Sequence, residues 1–143
     1  MKNKTLLRAA LVSFAMLAGA SAAHAETVVV VSSKSGASPL TADQVSDIFL
    51  GKSNALPGAG QAVPIDQAEG ALRDDFYQKA TDKTAAQVKA YWSKQIFSGK
   101  GQPPKAVGDS AAVKTLLATN PNMIGYIDKS AVDGSVKVLL SVK

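Results

Sequence analysis

The first 25 residues set the size of what this chain folds into. Lys2, Lys4 and Arg8 lead a nearly unbroken apolar run from Leu11 to Ala20, which closes on Ala23-His24-Ala25. A positive start, an apolar middle and a small-x-small end make the pattern of a secretory signal cleaved after Ala25. The apolar run falls short of the roughly 20 residues that a bilayer span needs, so cleavage is expected and the protein is not membrane-embedded. The folding unit is then Glu26–Lys143, 118 of the chain's 143 residues. A domain of that size buries roughly two-thirds of its unfolded surface and folds without disulfide or metal. The expected organisation is a signal peptide over 1–25 and one periplasmic domain over 26–143.

Cleavage removes the only histidine, His24, and the chain contains no cysteine. The mature protein therefore lacks the commonest general base, the usual thiol nucleophile and the softer metal ligands. No catalytic residue, metal or cofactor is expected, and binding becomes the leading class of function. The signal peptide also carries three of the five net positive charges, leaving thirteen bases against eleven acids. Those charges are segregated. Six acids and two bases lie between Thr41 and Asp75, whereas six lysines and one acid lie between Phe76 and Val107. A solvated lysine face explains this, as does a surface that attracts an acidic partner. Scattered lysines, few arginines and no recognition motif argue against nucleic acid.

Thr27–Val31 reads as a β-branched strand buried on both faces. Thr41 opens a helix with Gln44 completing a capping box, Val45, Ile48 and Phe49 facing inward, and Gly51 as left-handed terminator. Ser53–Gln61 reads as loop and Ala62–Ile65 as a short strand. A second helix is expected from near Glu69, with Leu72, Phe76 and Ala80 on one face. A third opens at Thr84 with Gln87 and carries Val88, Trp92 and Ile96 on one stripe. Two glycines and two prolines exclude regular structure from Ser98–Lys105. Asp109 or Ser110 caps a fourth helix, and Met123–Ile127 and Ser135–Val142 close the chain around an Asp133-Gly134 turn. This order predicts an α/β layer fold.

Most chemical motifs fail on spacing. Gly51-Lys52-Ser53 lacks the glycine five residues earlier, where Ser46 stands, and it ends a helix instead of starting one. Ser93 and Lys94 are adjacent and point apart on a helix, as do Asp74 and Asp75. Trp92 beside Tyr91 has the position of a core residue, not a sugar platform. The stretch Ile65–Phe76 is different: strand, glycine-containing loop, then helix. That order aims unpaired N–H groups at whatever sits above the helix start, which is the chemistry of an anion site. An ordinary strand–helix connection has the same pattern.

Leu40-Thr41-Ala42-Asp43-Gln44-Val45-Ser46-Asp47-Ile48-Phe49-Leu50-Gly51-Lys52 resembles the "L-T-x-x-Q-x-x-x-I-F-x-G-K" signature of phosphate-binding proteins that serve ABC importers. Val63-Pro64-Ile65-Asp66 with Arg73 and Phe76, Tyr91-Trp92 with Phe97-Ser98-Gly99, and Ile124-Gly125-Tyr126-Ile127 continue the likeness over nearly all of Val28–Asp128. The resemblance implies a single lobe of the type II periplasmic-binding-protein fold, α/β, with a mixed, mostly parallel sheet flanked by helices. Full-length members have two lobes. It further implies a substrate-binding-like or accessory role, not an enzyme, with a small oxyanion such as phosphate at the strand–helix loop. Candidate contacts there are Gln67, Gly70, Ala71 and Arg73. Ser32, Ser33 and Ser35 are expected at the same sheet edge, supplying hydroxyls. In the family the loop reads Gly-Ser-Gly-Thr with an arginine upstream. Here Glu69-Gly70-Ala71-Leu72 and Asp66-Gln67 occupy those places. A carboxylate about 4 Å from a bound anion repels it by ~1 to 4 kcal/mol, so weak binding is expected. The expected partners are an ABC permease or another envelope protein. A ligand-free interaction module with the same fold is the alternative, and a homodimer that pairs two single lobes is a third arrangement.

Overall fold

The structure, a computed structural model, describes residues 26–143, so the signal peptide expected over 1–25 lies outside the described residues. Five strands form the main sheet: β1 (Thr27–Ser32), β4 (Val63–Gln67), β5 (Lys105–Val107), β6 (Met123–Asp128) and β7 (Val136–Val142), in the order β5-β4-β6-β1-β7. β4 runs parallel to β5 and β6, whereas β1 is antiparallel to both β6 and β7. Four strands therefore point one way and β1 alone opposes them. A small hairpin pairs β2 (Ala55–Leu56) with β3 (Gly60–Gln61).

The four α-helices are α1 (Ala42–Phe49), α2 (Ala71–Thr81), α3 (Ala85–Phe97) and α4 (Ser110–Thr119). They cover both faces of the sheet, and β1 shows why its valines are continuous. Val29 and Val31 pack into the core shared with Val45, Phe49, Phe76 and Trp92, while Val28 and Val30 join Val113 and Leu117 under α4. A strand sandwiched this way has no wet side and needs no polar alternation. Both capping boxes form: Thr41 with Gln44, and Thr84 with Gln87. Gly51 takes φ 72° just after α1, as a left-handed terminator should.

Several boundaries differ from expectation. The loop over 53–61 contains the β2–β3 hairpin, held around the Pro57-Gly58 turn. Lys105, placed in an irregular segment, opens β5 at the edge of the sheet. β6 and β7 do not pair with each other; they flank β1 and are joined by a 3-10 turn over Lys129–Ala131. Ile96, expected inward, is 48% exposed because α3 rests on the body through Val88, Trp92 and the partly buried Tyr91, which leaves Ile96 at the edge of that contact. β4 continues two residues beyond Ile65, which places Asp66 and Gln67 inside the sheet, both buried.

Candidate functional site

Asp66 is the centre of the polar structure at the end of β4. Its Oδ2 accepts from the Tyr77 hydroxyl (2.7 Å) and from Arg73 Nε (3.3 Å). Its Oδ1 accepts from the Gln67 amide (2.8 Å) and from the Tyr126 hydroxyl. A buried carboxylate is tolerable only when paired and fully hydrogen-bonded, and these four donors meet that need. Around it Phe76 stacks on Tyr126 with ring centroids 4.0 Å apart, and the Arg73 guanidinium lies 5.1 Å over the Tyr77 ring. Burial pushes both tyrosine hydroxyls far above their ordinary range, and the adjacent Asp66 charge pushes them further. For Arg73 burial works against the charge, but Asp66 outweighs it and holds the guanidinium above its usual value.

Arg73, expected to face a ligand, is thus already paired inside the protein. Its side chain keeps 17% of its surface accessible and lines a cleft of about 470 Å³ between α2 and α3. Glu69, Gly70 and Asp74 share the α2 wall; Lys89, Trp92 and Ile96 lie along the α3 wall. Ala71, the next candidate, is the exposed first residue of α2. The helix starts at Gly70 without a side-chain cap, and its first backbone bond is Asp74 N to the Gly70 carbonyl (3.0 Å). The amides of Ala71, Leu72 and Arg73 precede that bond and are the free donors of the helix end.

The other candidates are elsewhere or otherwise engaged. Gln67 Nε2 donates to the Tyr126 carbonyl (2.7 Å) and to Ser110 Oγ (3.3 Å), tying β4 to β6 and α4 from a buried position. Ser32, Ser33 and Ser35 do not share the edge that carries Gly70. Because β1 opposes β4 and β6, Gln67 falls level with the start of β1 and Ser32 with its far end. At roughly 3.3 Å per residue, that separation is about 13 Å along the sheet. There Ser32 Oγ accepts from the Lys34 amide, Ser35 Oγ accepts from the Ala37 amide, and the Ser33 amide bonds the Ser135 carbonyl. The serines build a turn. Sequence reasoning missed Tyr77 and Tyr126, the two hydroxyls that accommodate Asp66. No group of three or more acidic residues among the described residues is placed to hold a metal. No helix of the described residues is long and apolar enough to cross a membrane.

The architecture is that of one lobe of a periplasmic binding protein, and comparison with solved structures bears this out. A substrate-binding protein from Clostridium perfringens, assigned to phosphate ABC transport and solved with bound phosphate, matches with a TM-score of 0.61 at 22% identity, over 80% of this chain and 44% of its own. An ABC-type phosphate transport receptor from Vibrio cholerae matches with a TM-score of 0.59 at 20% identity, over 80% and 45%. PstS from Borrelia burgdorferi matches with a TM-score of 0.54 at 15% identity, over 80% and 46%. The chain thus spans less than half the length of each of these structures. No protein-family description and no curated sequence matches it.

Proposed function

We propose that this is an exported single-lobe binding protein that offers the N-terminus of α2 to a small oxyanion such as phosphate, with low affinity, as an accessory to an envelope importer. One observation carries the proposal. Of the four α-helices in the described residues, α1, α3 and α4 are capped by Thr41, Thr84 and Asp109, whereas α2 begins at Gly70 with no side-chain cap. Gly70, at that open end, lines the same cleft as Arg73, and open amides with a positive dipole end favour an anion. The phosphate bound by the Clostridium perfringens structure supports the choice of ligand. Affinity is low on two counts: Asp66 neutralises Arg73, and the Glu69 carboxylate stands at the helix start. These place the dissociation constant near ~1 mM, or about −4 kcal/mol. The role is capture or delivery beside a permease, without chemistry, because the mature chain lacks histidine and cysteine. Isothermal titration of the exported protein with phosphate and sulfate tests this. Saturable heat with millimolar half-saturation is expected, and no binding at several times that concentration would remove the oxyanion role.

A further inference from the structure

The cleft between α2 and α3 has a second property that oxyanion binding does not use: the two ends of the surface around it are complementary. Trp92, Ile96 and Pro103 make one part of the lining apolar, while Glu69 and Asp74 place two carboxylates on the rim. Neither carboxylate pairs with a cation among the described residues. Beside the cleft stands the end of α3. Phe97, four residues on from the cleft-lining Ser93 and so on the same helix face, is 96% exposed, and Lys94 and Lys100 flank it in solvent. A phenylalanine left almost wholly in water, with half-exposed Ile96 as its neighbour, forms an apolar patch of the kind that marks an interaction surface.

We infer that this face binds a second copy of the chain: Phe97 of each protomer enters the apolar part of the partner's cleft, and Lys94 and Lys100 face the partner's Glu69 and Asp74. Ile96 belongs to both the cleft and the protruding tip, so a two-fold axis passing close to it lets both contacts form at once, as an isologous dimer requires. The charges around the cleft fit no simpler occupant as well. Of the cleft's own cations Arg73 is held by Asp66 and Lys89 lies on the α3 wall, so a purely acidic partner would suit Lys89, Lys94 and Lys100 but meet Glu69 and Asp74, whereas a second copy offers both signs. The area sets the strength. α3 is only about 20 Å long, so the contact lies at or below the roughly 1,200 Å² lower end of stable interfaces. The dimer is therefore weak, with half-association on the order of 100 µM, and it weakens further in salt.

Sedimentation equilibrium of the exported protein from micromolar to millimolar concentration tests this without any oxyanion present, so it succeeds or fails independently of the phosphate titration. A concentration-dependent monomer–dimer equilibrium is expected. Phe97→Ser, at a position that contributes nothing to the core, weakens it about a hundredfold. Lys94→Glu with Lys100→Glu weakens it at least about tenfold, and so does Glu69→Lys with Asp74→Lys. Mixing those two variants restores wild-type association, because each then supplies the charge the other needs. Thermal melting of each variant confirms that it is folded before it is compared. A monomer at every concentration overturns the inference. So does a dimer indifferent to Phe97, a mixture no tighter than its components, or a monomer that instead sediments with anionic lipid vesicles through Phe97.

Discussion

Replacing Asp66 with asparagine keeps the shape of the side chain and removes one buried charge, and the structure predicts opposite consequences for stability and for binding. In the native protein the carboxylate accepts from Tyr77, Tyr126, Arg73 and its own neighbour's amide. Asparagine keeps one acceptor oxygen and turns the other into a donor, so one tyrosine hydroxyl must rotate to accept. Hydrogen bonds to a charged group stabilise by about 1.5–3 kcal/mol and neutral ones by about 0.5–1.5, so the two tyrosine bonds together lose roughly 2 kcal/mol. Removing a partner from a fully buried ion pair costs about 3–5 kcal/mol. Arg73 retains 17% of its side-chain surface and can turn into the cleft, so its share falls well below that figure. A net loss of about 2–4 kcal/mol is expected, a large fraction of the 5–15 kcal/mol that holds a typical domain together. Urea unfolding followed by the fluorescence of Trp92, the chain's single tryptophan, measures it. The same substitution releases a guanidinium next to the open end of α2. A unit charge about 4 Å from an anion contributes ~1 to 4 kcal/mol, so phosphate affinity rises about tenfold or more. An Asp66→Asn protein of unchanged stability, or one that binds phosphate more weakly than wild type, would refute the reasoning.

Alkaline conditions provide a second probe. Tyr77 and Tyr126 keep their protons in the folded state well past the ordinary tyrosine range, first through burial and then through Asp66, but lose them near pH 10 when unfolded. Their contribution is fully present below pH ~10 and declines above it by about 1.4 kcal/mol per pH unit for each tyrosine; tyrosinate absorbance from these two therefore appears together with loss of structure, not before it. Gly58→Ala meets the Gly36 carbonyl oxygen 2.3 Å from its new Cβ at φ 86°, whereas Gly60→Ala at φ 79° has open space. Chemical denaturation is expected to show Gly58→Ala costing about 2 kcal/mol or more, and Gly60→Ala only the left-handed strain of about 1–2 kcal/mol. Thr84→Ala loses the capping box that starts α3 and about 1 kcal/mol with it, read as a lower melting temperature.

What was legible in the sequence was whatever short-range chemistry determines. Thr41 with Gln44 and Thr84 with Gln87 are three residues apart, and each pair satisfies its own helix end. The unbroken valines of β1 announce burial on both faces because no polar side is left for water. The errors lie where distant residues decide. Asp66 and Gln67 look like loop residues, and only Tyr77, eleven positions away, and Tyr126, sixty away, make their burial in β4 possible. β5 is a three-residue edge strand whose Lys105-Ala106-Val107 carries no alternation to detect. The serines after β1 went to the wrong edge because strand direction is set by pairing with β6 and β7, which β1 itself does not encode. Of the proposed contacts, Gly70, Ala71 and Arg73 remain together at the open end of α2, while Gln67 serves as a clamp between strands.

Backbone amide NMR of the protein during a phosphate titration is the most direct test of an oxyanion site at the start of α2. The largest shifts are predicted at Gly70, Ala71, Leu72 and Arg73, sharing one millimolar half-saturation. Shifts centred on Ser32–Ser35, or none beyond those produced by an equal ionic strength of chloride, would contradict it.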